Sequence, residues 1–275
     1  MKFTHKKSLT MLINNPQITL FLVIYLMFAG IIVPNILLSQ TKAAFYTFSF
    51  LLLMFSTAFF AGWFGFIKGV VTLKNDKDIN EKLENLKSGF FGSIPVYFFP
   101  ILLLIIIFML IQTGIPNVAS ILFGKTDAIL MQIASLTNDK NAIANYITTL
   151  PEVQKKMLIE RSLFIITASV SFYILFFYTI PALYFNKTPN VITGIVQNFK
   201  AVFKKFFPTI YLFFLILLIH LVLFFFEVIS ASLGQIFMFI ALVLRVCFIA
   251  YIIVLIFSIY EENFGNNGGD SLGEN

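Results

Sequence analysis

Residues 207–229 read FPTIYLFFLILLIHLVLFFFEVI, and residues 233–259 read LGQIFMFIALVLRVCFIAYIIVLIFSI. Each run exceeds the roughly 18 apolar residues that mark a transmembrane helix, because about 20 residues at 1.5 Å rise cross the hydrocarbon core. Only His220, Glu227 and Arg245 put acidic or basic side chains of the Asp, Glu, His, Lys and Arg kinds into them. With so short a separation, the two runs read as a helical hairpin turning near Ala231-Ser232.

Working outward, comparable runs lie near 17–38, 44–67, 94–112 and 162–185, the third interrupted by Pro95 and Pro100. Helices in lipid accommodate such prolines where neighbouring groups satisfy the freed carbonyls. The pattern predicts an all-α polytopic membrane protein with about six transmembrane helices. They fall into three hairpins with interfacial amphipathic elbow helices. One integral membrane domain covers about 1–262, and the polar segment 263–275 reads as a disordered tail.

Composition agrees. Hydrophobic residues make up 59% of the 275 and charged residues 12%, with a mean hydropathy of +0.92. Soluble domains carry about 25% charged residues, so a water-facing surface cannot be built from this chain. The 36 Phe, alongside abundant Ile, Asn and Lys, match the codon bias of an AT-rich genome and need no functional cause. A net charge of +6 does not point to nucleic acid, because the lysines flank apolar runs. Anionic lipid headgroups are the partner such cations fit.

Cation placement also predicts orientation. Lys2, Lys6 and Lys7, then Lys68, Lys74, Lys77, Lys82 and Lys87, then Lys187, Lys200, Lys204 and Lys205 fall on one side. Lys42, Lys125, Lys140, Lys155, Lys156 and Arg161 fall opposite. The excess predicts both termini on the inner side; the membrane is expected to be the inner membrane of a bacterium, with both termini in its cytoplasm. The basic N-terminus leads into an apolar run too long for a signal peptide, so it reads as a retained first helix.

The connection at 113–161 is long enough to carry structure of its own. Its half-apolar 115–136 stretch, 139–150 and 151–161 read as short amphipathic helices on the outer surface.

A weak repeat adds to this. Pro16-Gln17-Ile18-Thr19-Leu20-Phe21 resembles Pro208-Thr209-Ile210-Tyr211-Leu212-Phe213, with Ile24 matching Ile216. Each copy follows a basic stretch, and Gly92-Ser93-Ile94-Pro95 sits similarly behind Lys82 and Lys87. In the second basic stretch, Val191, Ile195, Phe199, Val202 and Phe206 share one helical face. Thr193, Gln197, Lys200 and Lys204 share the other, and Lys205 follows. That pattern predicts a helix in the headgroup plane with Lys200, Lys204 and Lys205 toward anionic lipid. Pro208 then opens the next span.

Carried by Asn15-Pro16 and by Gly194 through Pro208, the layout resembles bacterial polytopic proteins grouped around the glycerophosphoryl diester phosphodiesterase membrane domain and its uncharacterised six-helix relatives. The resemblance implies three hairpins, each introduced by a membrane-surface elbow, and no catalytic domain.

Charged groups inside a span are functional candidates. With a turn near Ala231-Ser232, His220 falls within two positions of the depth of Arg245, while Glu227 is shallower and out of direct reach unless its helix runs further. His220 and Arg245 read either as a polar pair that binds an anionic headgroup or passes a proton, or as a snorkelling Arg and a packing His. Ala61, Gly65 and Gly69, beside Ala58 and Gly62, form a small-residue stripe that permits close helix approach within the chain or to a membrane-protein partner.

Enzyme signatures are missing: no His-Glu-x-x-His, Walker loop or serine elbow occurs. With only His5, His220 and the single Cys247, no cofactor or metal is expected. Gly268-Gly269-Asp270 and Asn186-Lys187-Thr188 match short motifs, yet both lie where those chemistries do not operate. The leading expectation is a non-enzymatic accessory or scaffold in envelope or lipid homeostasis. The alternative is a transporter or permease subunit for a small or lipid-like anionic solute. An intramembrane enzyme ranks third.

Overall fold

The structure is a computed structural model that describes residues 2–72, 84, 87–124, 126–136, 140–186 and 188–265. Lys74, Lys77, Lys82, Lys125, Asp139, Lys187 and the tail from residue 266 onward lie outside the described residues.

The described secondary structure is helical: α1 (Lys2–Asn14), α2 (Gln17–Leu37), α3 (Lys42–Thr72), α4 (Ser93–Phe123), α5 (Asp127–Ser135), α6 (Lys140–Thr149), α7 (Glu152–Leu175), α8 (Thr179–Phe185), α9 (Val191–Lys204), α10 (Phe206–Leu233) and α11 (Gln235–Phe264). Among the described residues six helical segments are long and apolar enough to cross a membrane, α7 and α8 together supplying the fourth. The chain is a multi-pass, all-α membrane protein. It divides into two compact units, one of residues 1–104 with 176–275 and one of residues 105–175.

In the first unit α11 is the hub, packing on α1, α2, α3, α8 and α10, while α9 packs on α8. Burial concentrates toward one end of that hub. Residues Val254 through Tyr260 of α11 are buried, as are Ala61 through Ile67 of α3. Towards Gly234, by contrast, Ile236, Phe239 and Leu242 are exposed. Apolar burial does not pull helices together inside lipid, where the surroundings are as apolar as the side chains. Close packing and hydrogen bonds hold this end instead. The Trp63 indole N–H donates to the Ile18 carbonyl at 3.0 Å, and Tyr25 and Ser56 hydroxyls meet at 3.0 Å between α2 and α3.

The fourth span is interrupted at residues 176–178. Pro181 explains where: it has no N–H for the Phe177 carbonyl, and its ring crowds that carbonyl in a continuous helix. Restarting at Thr179 puts Pro181 into a first turn, where no intrahelical donor is lost. Pro95 and Pro208 occupy the same kind of position in α4 and α10.

In the second unit α4 meets α7 through Phe108 against Phe172 and Phe123 against Phe164. Here the expected outer connection is shorter than 113–161. Polar residues there do not stop α4, because their side chains bond back onto the preceding turn. Thr113 donates to the Met109 carbonyl at 2.8 Å, Asn117 to Thr113 at 3.0 Å and Ser120 to Pro116 at 2.9 Å. The 151–161 stretch joins the fourth span, its exposed turns carrying Lys155–Glu152 and Lys156–Glu160 pairs. Arg161, expected as a flanking cation, is buried and donates to the Thr126 hydroxyl. Between α4 and α7, Gly124 turns the chain at φ +85°, a conformation only glycine adopts freely.

Candidate functional site

The first unit holds a buried aromatic knot where α3, α8, α9 and α11 converge. Tyr184 is fully buried: its ring stacks on Tyr97 at 3.9 Å between centroids, and its hydroxyl donates to the Ala61 carbonyl at 2.7 Å. Phe257 packs against Phe64, Tyr184 and Phe185, and Tyr260 against Tyr178 and Phe264. These rings bring large contact area, and the tyrosines add a polar tip each, used at Tyr184 to tie α8 to α3.

Asn198 is the polar centre of α9. It is fully buried, and its side-chain oxygen accepts the Tyr178 backbone N–H at 2.8 Å, inside the break of the fourth span. Thr209, at the start of α10, donates to the Lys205 carbonyl at 2.8 Å and approaches the Tyr178 hydroxyl at 3.5 Å. Gly194 brings α9 close to α8, since an added Cβ would stand 3.3 Å from the Leu183 Cα. Asn190 caps the helix by accepting from the Ile192 N–H at 2.9 Å.

The faces of α9 differ from the expected two. Val191 and Val202 are buried against protein together with Gly194, Asn198 and Ala201. Ile195 and Phe199 are half-buried, and the exposed apolar side chains are Ile192, Val196 and Phe203. The reason is Asn198: a two-class apolar and polar reading puts it outside the buried sector, whereas its bond to Tyr178 requires it inside. Lys200 and Lys204 are exposed and Lys205 is half-buried. The Lys204 ammonium lies 5.8 Å from the Phe264 ring centroid.

Arg245 pairs with Glu227, guanidinium to carboxylate at 2.7 Å. The turn comes at Gly234, with φ +112°, later than Ala231-Ser232, because α10 continues to Leu233. That shift brings Glu227 within one helical turn of the depth of Arg245 and moves His220 toward the depth of Phe248. His220 is half-buried and makes no hydrogen bond or ion pair with Arg245 among the described residues.

The small-residue stripe of α3 faces the residues that lead into α4. A Cβ on Gly65 would fall onto Ser93, and one on Gly62 would stand 2.8 Å from the Phe90 ring. Ala61 offers its carbonyl to Tyr184, and Gly69 faces open space.

Reading the sequence alone misses Asn198, Tyr178, Tyr184 and Trp63. A signal for the first existed in the spacing of Val191, Gly194, Asn198 and Ala201, which is the spacing of a docked helix face. It also misses the seat of α1, where Thr4, Ser8 and Met11 are buried on α11. There the Thr4 hydroxyl donates to Glu262 at 2.9 Å, Lys7 pairs with Glu261 and Glu262, and His5 lies 2.8 Å from the Tyr251 hydroxyl. These contacts all tie α1 to α11. No family model, curated protein or solved structure matches this chain.

Proposed function

We propose that the chain is a non-enzymatic accessory or scaffold in bacterial envelope or lipid homeostasis, seated in the inner membrane with both termini cytoplasmic. One observation carries this reading: three of the largest fully buried side chains of the first unit that bear a polar group, Tyr184, Trp63 and Asn198, are spent on joining helices. Tyr184 is committed to the Ala61 carbonyl, Trp63 to Ile18 and Asn198 to Tyr178. Polar groups so engaged make a rigid frame rather than a reacting centre. The helices that precede α2 and α10 are both docked on this frame, which supports kinship with the glycerophosphoryl diester phosphodiesterase membrane domain. Its partners are anionic lipid and a second membrane protein.

The test is reconstitution of the full chain in liposomes with measurement of solute flux, alongside envelope lipid analysis after its deletion. Altered envelope lipids without flux support the scaffold; sustained flux of a small anionic solute overturns it. A transporter subunit is the second reading, favoured by the Arg245–Glu227 pair, since charges within spans often mark transport paths. Against it, Glu227 already neutralises the guanidinium that an anionic solute needs. Flux abolished by Arg245→Leu would establish the second reading.

A further inference from the structure

The exposed half of α9 divides into two adjoining sectors. Ile192, Val196 and Phe203 are 72%, 46% and 64% exposed and share one sector. Lys200 and Lys204 stand exposed on the next, with half-buried Thr193 and Gln197. The remaining sector, centred on Asn198, is buried in protein. A helix with three unlike sectors suits a corner where protein, hydrocarbon and water meet. An apolar ridge beside a lysine row satisfies both only if the ridge enters acyl chains and the lysines stay at headgroup level.

The lysines here are also unspent. Among the described residues no carboxylate pairs with Lys200, Lys204 or Lys205, while Lys7 on α1 is neutralised by Glu261 and Glu262. Phe264, under Lys204, steadies that ammonium without cancelling its charge. α9 thus presents lysines whose charge is left for an outside anion.

We infer that α9 is a docking surface for one anionic bilayer leaflet, with Lys200, Lys204 and Lys205 holding phospholipid phosphates and Ile192, Val196 and Phe203 inserted beneath them. The inference rests on the membrane reading above and names the helix and the side chains by which the scaffold gathers anionic lipid. Each lysine at an anionic surface changes affinity about fivefold. Enrichment of anionic lipid around the protein therefore depends on Lys200 and Lys204, and Lys7 contributes little to it.

The full chain is reconstituted in nanodiscs of mixed phosphatidylglycerol and phosphatidylcholine, and the lipid that copurifies into detergent is quantified. Phosphatidylglycerol is enriched with the unaltered chain and with Lys200→Arg/Lys204→Arg. Lys200→Gln/Lys204→Gln lowers the enrichment by about 25-fold. Unchanged enrichment in the Gln variant, an equal loss in Lys7→Gln, or full competition by inorganic phosphate overturns the inference. A second readout concerns orientation, in a Cys247→Ser background. Thr193→Cys reacts with a membrane-impermeant maleimide and Phe203→Cys is protected; equal reactivity also overturns it. Neither readout uses a solute gradient, so failure here is distinct from failure of the scaffold reading, which flux measures.

Discussion

The side-chain oxygen of Asn198 accepts the backbone N–H of Tyr178 at 2.8 Å, so α9 is fastened to the interruption of the fourth span. Tyr178 sits in the turn that Pro181 imposes, where its N–H has left the regular helical ladder. A buried donor without an acceptor costs about 1–3 kcal/mol.

Asn198→Leu keeps the size of the side chain and removes the acceptor. It is expected to lower stability by about 1–3 kcal/mol. The loss is read from SDS unfolding in mixed micelles, followed by the fluorescence of Trp63, the single tryptophan, which is 1% exposed. Amide exchange at Tyr178 should quicken in the same variant. Unchanged exchange there would mean that another group satisfies the N–H.

Arg245 and Glu227 form a second tie, between α10 and α11. Removing either partner leaves the other charged within a span, at a cost of about 3 kcal/mol. Removing both leaves two apolar helices that pack without penalty. The expected result of a double-mutant cycle is that Arg245→Leu and Glu227→Leu each destabilise, while the double variant returns close to the starting stability. Additive losses would show that the two side chains act separately.

The spans were legible because their signal is composition over many residues, which local detail cannot erase. Their ends were not. α4 overruns its apolar segment because Thr113, Asn117 and Ser120 satisfy their own polar groups on the helix, which no hydropathy reading registers. The site was legible in residue type at Arg245 and Glu227, yet their pairing depended on a turn at Gly234, a matter of a few residues of hairpin length. Asn198 was hidden for a different reason: the spacing of Val191, Gly194, Asn198 and Ala201 marks a docked face, but what its amide binds is set by a long-range partner, the Tyr178 N–H.

Docking of α1 on α11 offers a test of packing against charge. The Lys7 side chain is 40% exposed and its partners Glu261 and Glu262 are 29% and 35% exposed. Such pairs are worth about 0–1 kcal/mol, so Lys7→Ala should change stability by less than that. Met11 is 5% exposed beneath the helix, and Met11→Ala should cost about 2–3 kcal/mol. Ser8 is fully buried and its hydroxyl has no hydrogen-bond partner among the described residues, so Ser8→Ala should be neutral or stabilising. The three variants are compared by the same SDS titration, and a dominant loss in Lys7→Ala would reverse the ranking.

Two glycines of one stripe should respond in opposite directions. At Gly65 an added methyl would fall onto Ser93 and stand 2.7 Å from the Gly89 carbonyl oxygen, so the chain leading into α4 must move away. Overpacking of this kind costs about 1–3 kcal/mol, and backbone cannot rotate aside as a flexible side chain can. Gly69 lies one turn further along α3 with nothing among the described residues within 4 Å of the same added methyl. There Gly69→Ala gains helix propensity of up to about 1 kcal/mol and meets no obstacle. Thermal unfolding of the two variants in one detergent should therefore bracket the unaltered chain, Gly65→Ala below and Gly69→Ala level or above. Tolerance of Gly65→Ala would show that residues 89–93 are not held against α3, and that the small residues of this stripe serve a contact outside the chain.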